Sequence, residues 1–426
     1  MEKFTIQGGF KLNGTVTISG NKNEALPAIA ACILTEEKVC LENVPHIGDV
    51  LTLIELLEDL GAVVDRKQSG QVVICCKDVN PKLLDSNKCR SLRAAILLAG
   101  PMLARFKKVV LPPPGGDVIG RRRLDTHFLA FEKLGAEVHI DSDFHIQTRK
   151  LIGTDVFLDE QSVTATENAM MAAVLAEGKT VLRNAACEPH VVGLGNLLNS
   201  MGARISGHGS NTVVIEGVSK LHGATHRVGS DFIEVGSYIA LAVVTQSELT
   251  LKQVHTDDLH PIQLAFNKLG IVFEIEENQV YIPGDQKLSI KNDISGCIPK
   301  LDDGTWPAFP TDLMSILIVA ATQADGAVLI FEKMYDGRMF FVDSLISMGA
   351  QIVMCDPHRI VVIGPSNLYG SVLRSPDIRA GMALIIAALC AKGESTIYNI
   401  SQIDRGYEDL ELKLQKIGAH IKRVKE

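Results

Sequence analysis

The chain has 426 residues, 46% apolar and 22% charged, with a formal net charge of −8. That length suits two or three domains of ordinary globular composition, and the acidic balance argues against a nucleic-acid binder or an anionic-membrane binder. Nine scattered cysteines, with no Cys-x-x-Cys and no zinc spacing, read as reduced thiols in a cytoplasmic protein that holds no metal.

From the N-terminus, residues 1–10 lack the apolar core of a signal peptide, and no later run reaches the roughly 18 apolar residues of a membrane span. One phrase then recurs along the chain: leucines at helical spacing, a large apolar residue, a glycine and an extended run. It appears at Leu56–Val64, Phe131–Ala136, Leu197–Ala203, Phe266–Ile271, Leu345–Ala350 and Leu414–Ala419. The glycines are Gly61, Gly135, Gly202, Gly270, Gly349 and Gly418. They mark a period of about 71 residues, longer than common solenoid repeats, and six such units fill the chain. Each glycine is expected to take the left-handed position that ends a helix before a strand.

Each unit also holds a second helix of small apolar residues: Ala25–Ile33, Ala94–Met102, Ala169–Ala176, Tyr238–Val244, Met314–Ala321 and Gly381–Leu389. These are apolar nearly all round and are expected to be central, with the leucine-rich amphipathic helices outside them. The expectation is an α/β protein of six pseudo-symmetric units, three per lobe.

The segments entering the central helices carry the chemistry. Asn21/Glu24, Thr164/Glu167 and Asp231/Glu234 have capping-box spacing. Capping does not explain Lys22, Arg93 and Arg379, because a cation at a helix N-terminus opposes the macrodipole. An anion sharing the site would explain them. The stretch Leu111–His127, Leu-Pro-Pro-Pro-Gly-Gly-Asp-Val-Ile-Gly-Arg-Arg-Arg-Leu-Asp-Thr-His, must be a loop, and its glycines and arginines suit an anion. A solvated loop with a basic edge is the plainer alternative. His255 and His260 lie five apart, off one helical face, and no His-Glu-x-x-His, Walker loop or dinucleotide glycine fingerprint occurs, so neither metal, ATP nor NAD is expected.

Four motifs together resemble the UDP-N-acetylglucosamine 1-carboxyvinyltransferase family of enolpyruvyl transferases. They are Ser19–Pro27, Pro114-Gly115-Gly116-x-x-Ile119-Gly120-Arg121-Arg122, Ala308-Phe309-Pro310-Thr311-Asp312 and Ile403-Asp404-Arg405-Gly406-Tyr407-Glu408. The resemblance spans essentially the whole chain. It implies a two-lobed inverted α/β barrel, with residues 22–229 as one lobe carrying the catalytic loop 111–125, and residues 1–21 plus 230–426 as the other. It also implies transfer of enolpyruvyl from phosphoenolpyruvate to the 3-hydroxyl of UDP-N-acetylglucosamine, the first committed step of peptidoglycan synthesis, without a cofactor. Neither the sequence nor the resemblance sets an oligomeric state.

Carried onto this chain, the resemblance implies Asp117, Asp312, Lys22 and Arg405 as catalytic residues, with Asp312 taking the hydroxyl proton. Phosphoenolpyruvate would meet Lys22, Asn23, Arg122, Arg338, Arg379 and Arg405. UDP-N-acetylglucosamine would meet Asn23, Arg93, Arg122, Arg123, Leu124, Asp125, Thr126, Ser162, Val163, Thr164, Asp312 and Met334, with His127 beside them. Most of the family has cysteine, the residue alkylated by fosfomycin, where this chain has Asp117. The chain is therefore expected to be insensitive to that antibiotic. Glu160, Thr164, Phe232, Gln402 and Gly337 also depart from the usual family residues. The rival readings are a paralogue acting on another nucleotide and a non-catalytic nucleotide-sugar binder.

Overall fold

The structure, a computed structural model, describes residues 2–67, 70–116 and 119–425. The chain divides into two compact units. One comprises Met1–Ser19, Val118–Arg121 and Ser230–Glu426, and the other Gly20–Asp117 and Arg122–Gly229. Among the described residues each unit holds three sheets, five of the six being four-stranded and one three-stranded. All are open at both edges, so the expected barrel is a set of separate sheets and not a closed hydrogen-bonded cylinder.

The sheets share one plan. A strand leads through a small-residue helix to a parallel partner, and an amphipathic helix then leads to an antiparallel strand pair, one strand of which pairs antiparallel with that partner; in one sheet that pair is made by the first and last strands, Glu2–Gly8 and His420–Lys425. Asp155–Phe157, helix Val163–Ala173 and Lys179–Arg183 form one such crossover. Lys300–Asp302 with Gly326–Phe331, and Val372–Arg374 with Gly393–Tyr398, form two more. In two sheets the chain leaves between the parallel partners. Asn13–Thr17 pairs with Glu248–Lys252, and Thr225–Arg227 with Lys38–Glu42. Between the first pair lies the other unit, which is why the unit made of residues 1–19 and 230–426 is discontinuous in sequence; between the second pair lies the rest of its own unit, whose two ends that pairing joins. The sixth sheet, built on Lys108–Leu111, lacks the leading strand. A 3₁₀ turn starting at Pro81 and the short helix Ser86–Ser91 stand in that stretch of the chain.

The central helices are buried as their composition requires. Every residue of Phe232–Val244 and Met314–Ala321 is buried, and these two pack on each other and on Ile378–Cys390. In the other unit the Arg93–Leu98 turn and helix Ala99–Phe106 pack on Val163–Ala173.

The six amphipathic helices all end alike. Gly61, Gly135, Gly202, Gly270, Gly349 and Gly418 have φ between +77° and +107°. The amide two residues past each helix end donates back to the carbonyl five residues earlier, as in Ala62 to Leu57 (2.9 Å), Ile271 to Phe266 (3.1 Å) and Ala419 to Leu414 (3.0 Å). This is the Schellman closure, which satisfies carbonyls the helix itself leaves open. A Cβ on Gly418 would meet nothing within 4 Å, whereas one on Gly270 would lie 2.7 Å from the backbone N and O of Ser289. Gly418→Ala should therefore cost about 1 kcal/mol, the conformational term alone. Gly270→Ala should cost clearly more, and denaturant unfolding of the two variants checks the order.

Candidate active site

In the unit that begins at Gly20, helix Lys22–Ala31 is capped by Asn21, whose side chain accepts the amides of Asn23 (2.8 Å) and Glu24 (3.2 Å). Glu24 does not close the box on Asn21. Its carboxylate takes the Gly229 amide (3.1 Å) and His226 Nε2 (2.8 Å). Lys22 is buried and its Nζ lies 2.7 Å from Asp49 Oδ2, with both side chains about nine-tenths covered. The cation at this helix start therefore has an anion supplied by the protein, which sequence reasoning did not find. Asp49 lies in the first turn of an outer helix, Gly48–Asp59, and nothing in its spacing points to Lys22.

Arg93 opens the 3₁₀ turn Arg93–Leu98 and donates from Nη2 to the carbonyls of Arg122 (2.9 Å) and Arg123 (3.3 Å). It thus holds the arginine loop by its backbone. The loop glycines are needed for the same packing. A Cβ on Gly115 would fall 1.9 Å from the Arg90 carbonyl, and one on Gly116 (φ +110°) 2.6 Å from Arg93 Cβ. Gly116 also lies against Arg122 Nη1. Arg123 pairs with Asp125 (3.3 Å) and Asp159 (3.0 Å), and Thr126 donates to the other Asp159 oxygen (2.7 Å). Asp117 and Val118 lie outside the described residues.

Ser162, not Thr164, caps helix Val163–Ala173, so the expected Thr164/Glu167 box is not formed. Thr164 instead meets His127. The His127 ring is fully buried and does not line an open surface, contrary to its expected place beside the nucleotide. Asn168 settles the tautomer. Its Oδ1 accepts the Gly100 amide (2.7 Å), and its amide nitrogen donates to Ile96 O (2.9 Å) and His127 Nδ1 (2.9 Å). Nε2–H is then the donor to Thr164 Oγ1 at 3.1 Å. Burial, and next the Arg93 charge, push His127 down to about 3, so the ring is neutral.

In the other unit the Asp231 cap works as expected, accepting the amides of Ile233 and Glu234. Glu234 again reaches elsewhere, to the Ser19 amide (2.7 Å) and Lys413 Nζ (2.7 Å). Asp312 lies in the turn Thr311–Leu313 before helix Met314–Ala321. Its Oδ1 accepts Arg338 Nη2 (3.0 Å), and its Oδ2 accepts Arg379 Nε (3.0 Å) and lies 3.0 Å from Arg379 Nη2. Arg338 and Arg379 are 4% and 5% exposed. Burial opposes their charge, but Asp312 leads the groups that outweigh it, and both stay firmly cationic. Arg338 Nε and Nη1 and Arg379 Nη1 are buried with no hydrogen-bond partner among the described residues.

Around this cluster, Arg405 donates to Gln402 (2.9 Å), one of the residues that depart from the family. Phe232 is buried 5.4 Å from the Trp306 ring. Met334 is partly exposed and its amide donates to Glu332 (3.1 Å). Gly337 donates to Ile119 O (3.0 Å), and a Cβ there would lie 3.0 Å from the Ile119 carbonyl carbon, which favours glycine at this position. Segment Val118–Arg121 thus belongs with the Asp312 unit, although the surrounding loop 111–125 was expected wholly in the other lobe. Sequence reasoning also missed Glu332, Asp303 and Asn168, which carry no motif of their own.

The neutral His127 has a consequence for stability. Its unfolded value is about 6.5 and its folded value about 3, so its contribution is full above 6.5 and is lost as pH falls toward 3. Lowering the pH to 5 should remove about 2 kcal/mol through this group. His127→Gln, which cannot titrate, should show a shallower fall in melting temperature between pH 7 and pH 5.

Comparison with known proteins gives the family. The family model for EPSP synthase (3-phosphoshikimate 1-carboxyvinyltransferase) matches residues 6–414. Proteins named UDP-N-acetylglucosamine 1-carboxyvinyltransferase from Treponema denticola and Bradyrhizobium diazoefficiens are each 54% identical to this chain. The first aligns over 99% of both chains, the second over 100% of this chain and 98% of its own length. Among solved structures, the enolpyruvyl transferase NikO from Streptomyces tendae superposes with a TM-score of 0.89 at 22% identity over 99% of both chains. An EPSP synthase from Acinetobacter baumannii superposes with a TM-score of 0.76 at 19% identity over the full length of both. The structural likenesses carry the two-lobed fold and the sequence identities carry the family: this chain belongs to the UDP-N-acetylglucosamine 1-carboxyvinyltransferases, within the enolpyruvyl transferases.

Proposed function

We propose that this chain transfers the enolpyruvyl group of phosphoenolpyruvate to the 3-hydroxyl of UDP-N-acetylglucosamine and releases phosphate. The observation that carries the reading is Asp312 between two buried guanidinium groups, three of whose nitrogens meet no hydrogen-bond partner among the described residues. An unmet buried donor costs about 1–3 kcal/mol, more when charged. A fold that keeps three of them beside one carboxylate is built to receive an anion there. The names of the 54%-identical relatives support the acceptor, UDP-N-acetylglucosamine, and the carboxyvinyl group transferred to it.

In this reading Asp312 takes the proton of the sugar 3-hydroxyl as its oxygen bonds to the central carbon of phosphoenolpyruvate, and Asp117 supplies a proton to the enol methylene. The product is a tetrahedral phospholactoyl adduct. Breaking its bond to phosphate, with loss of a methyl proton, leaves the enolpyruvyl ether. Lys22, Asn23, Arg122, Arg338, Arg379 and Arg405 bind phosphoenolpyruvate, with Lys22 and Arg405 offsetting charge that develops on it. Asn23, Arg93, Arg122, Arg123, Leu124, Asp125, Thr126, Ser162, Val163, Thr164 and Met334 face the nucleotide sugar. The side chain of Arg93 acts through the loop backbone that it holds. Lys22 reaches substrate only by sharing or leaving Asp49. We read the reaction as cytoplasmic; no described helix is long and apolar enough to cross a membrane.

Phosphate release tests the reading. It should require both substrates, and UMP should not replace the nucleotide sugar. Asp312→Asn should lower kcat by about 10²-fold or more, the usual scale for a general base. Asp117→Asn should lose most turnover while still binding UDP-N-acetylglucosamine, and full activity would remove Asp117 from the acid role. Mass spectrometry after fosfomycin treatment should find no adduct on the peptide carrying Asp117, because a carboxylate offers no thiolate to alkylate.

A further inference from the structure

Beside Asp312 and Arg338 stands a second pair of acids that the reaction just described does not use. Glu332 directly follows strand Gly326–Phe331, and Asp303 follows Lys300–Asp302, the parallel neighbour of that strand. Both side chains are buried. Asp303 Oδ1 accepts the Lys333 amide (2.6 Å). Glu332 Oε1 accepts the amides of Met334 (3.1 Å) and Tyr335 (3.0 Å), and the Thr311 hydroxyl lies 3.0 and 3.1 Å from its two oxygens. The second Asp303 oxygen is buried and meets no fixed donor among the described residues. A proton on Glu332 supplies that donor. Two adjacent buried carboxylates do not both ionise, and burial, followed by the hydrogen bond and charge of Asp303, pushes Glu332 up to about 9.

The consequence falls on Arg338. Its Nε lies 3.8 Å from Glu332 Oε2, beyond hydrogen-bond range, although both groups are buried. An ionised Glu332 would draw this guanidinium in and satisfy it from within the protein. A neutral one leaves Nε and Nη1 unclaimed. We propose that Glu332 is a positioning residue: as a neutral acid hydrogen-bonded to Asp303, it fixes Thr311 and segment Lys333–Gly337 and keeps the Arg338 guanidinium available to an anionic group of phosphoenolpyruvate. This rests on the enolpyruvyl-transfer reading above. Asp303, Thr311 and Arg338 face the Glu332 carboxyl, and Asp312, Asp377 and Tyr335 act on Arg338. His358 meets the Glu332 backbone carbonyl through Nδ1 (2.8 Å) and Asp336 through Nε2 (3.3 Å).

The test is steady-state phosphate release with phosphoenolpyruvate varied at saturating UDP-N-acetylglucosamine. Glu332→Gln is permanently neutral, and its amide can donate to Asp303. It should keep KM for phosphoenolpyruvate within about threefold of wild type at pH 7.5. Asp303→Asn removes the carboxylate that holds the proton on Glu332, and should raise that KM about tenfold while leaving KM for the nucleotide sugar near wild type. In the wild type, KM for phosphoenolpyruvate should climb as pH rises through 9, and Glu332→Gln should flatten the rise. A wild-type KM that stays level to pH 10 overturns the proposal without reference to any variant. So does a hundredfold loss of kcat in a folded Glu332→Gln, which would assign Glu332 to proton transfer instead. No phosphate release by wild type would sink the enolpyruvyl reading and this inference together, whereas an active wild type with either of the preceding results sinks this inference alone.

Discussion

A guanidinium ion cannot sit inside an apolar body without an anion nearby, and in the Asp312 unit two of them do sit there. Arg379 enters a helix whose thirteen residues are almost all buried, and Arg338, itself buried, opens a short 3₁₀ turn. Asp312 answers both at once. Removing one partner from a buried pair typically costs about 3–5 kcal/mol, because the other is left stranded, while the intact pair adds little net stability. The arrangement is therefore better understood as a holding device than as a source of stability. It keeps positive charge where water would otherwise be preferred, and one carboxylate does not exhaust two guanidinium forks.

The same economy of charge recurs in the unit that begins at Gly20. Lys22 opposes the dipole of the helix it opens and is balanced by Asp49. Arg93 gives hydrogen bonds to two carbonyls of the arginine loop, so a cation far earlier in the chain shapes the loop that carries Arg122. His127 is kept neutral, and its fixed tautomer directs a hydrogen bond at Thr164. Lys22 belongs to a family motif, yet its partner Asp49 lies outside every motif, as does Asn168, which fixes His127.

The scaffold beneath is repetitive for a plain reason. A helix of small apolar residues can be covered on all sides only by a strand layer and an outer helix. The chain must then turn sharply from the outer helix into the next hairpin, and a left-handed glycine with a Schellman closure does so with few residues. Repeating the unit three times surrounds the central helices of one unit, and at one sheet, that of Asn13–Thr17 and Glu248–Lys252, the chain departs for the other unit before the parallel partner is made. The glutamates at the third position of helices Lys22–Ala31 and Phe232–Val244 follow this interruption. Each accepts a backbone amide near the break, Gly229 or Ser19, in place of its own cap.

What depended on neighbours along the chain was legible from residues alone. The six glycines announced their positive φ, the central helices their burial, and the Asn21 and Asp231 caps their hydrogen bonds, because each is decided within one or two helical turns. The resemblance pointed to Asp312, Arg338 and Arg379, and the fold brings these three into hydrogen-bond contact. Folding alone decided which anion each cation would meet and which acid would stay neutral. Lys22 meets Asp49, Arg338 meets Asp312, and burial together with Asp303 pushes Glu332 toward its neutral form, across separations of about 26–30 residues that no periodicity reports. Local sequence sets backbone shape through sterics and hydrogen bonds of short reach. Charge state depends on burial and on every ion within a few ångströms, and those are assigned only when distant segments pack.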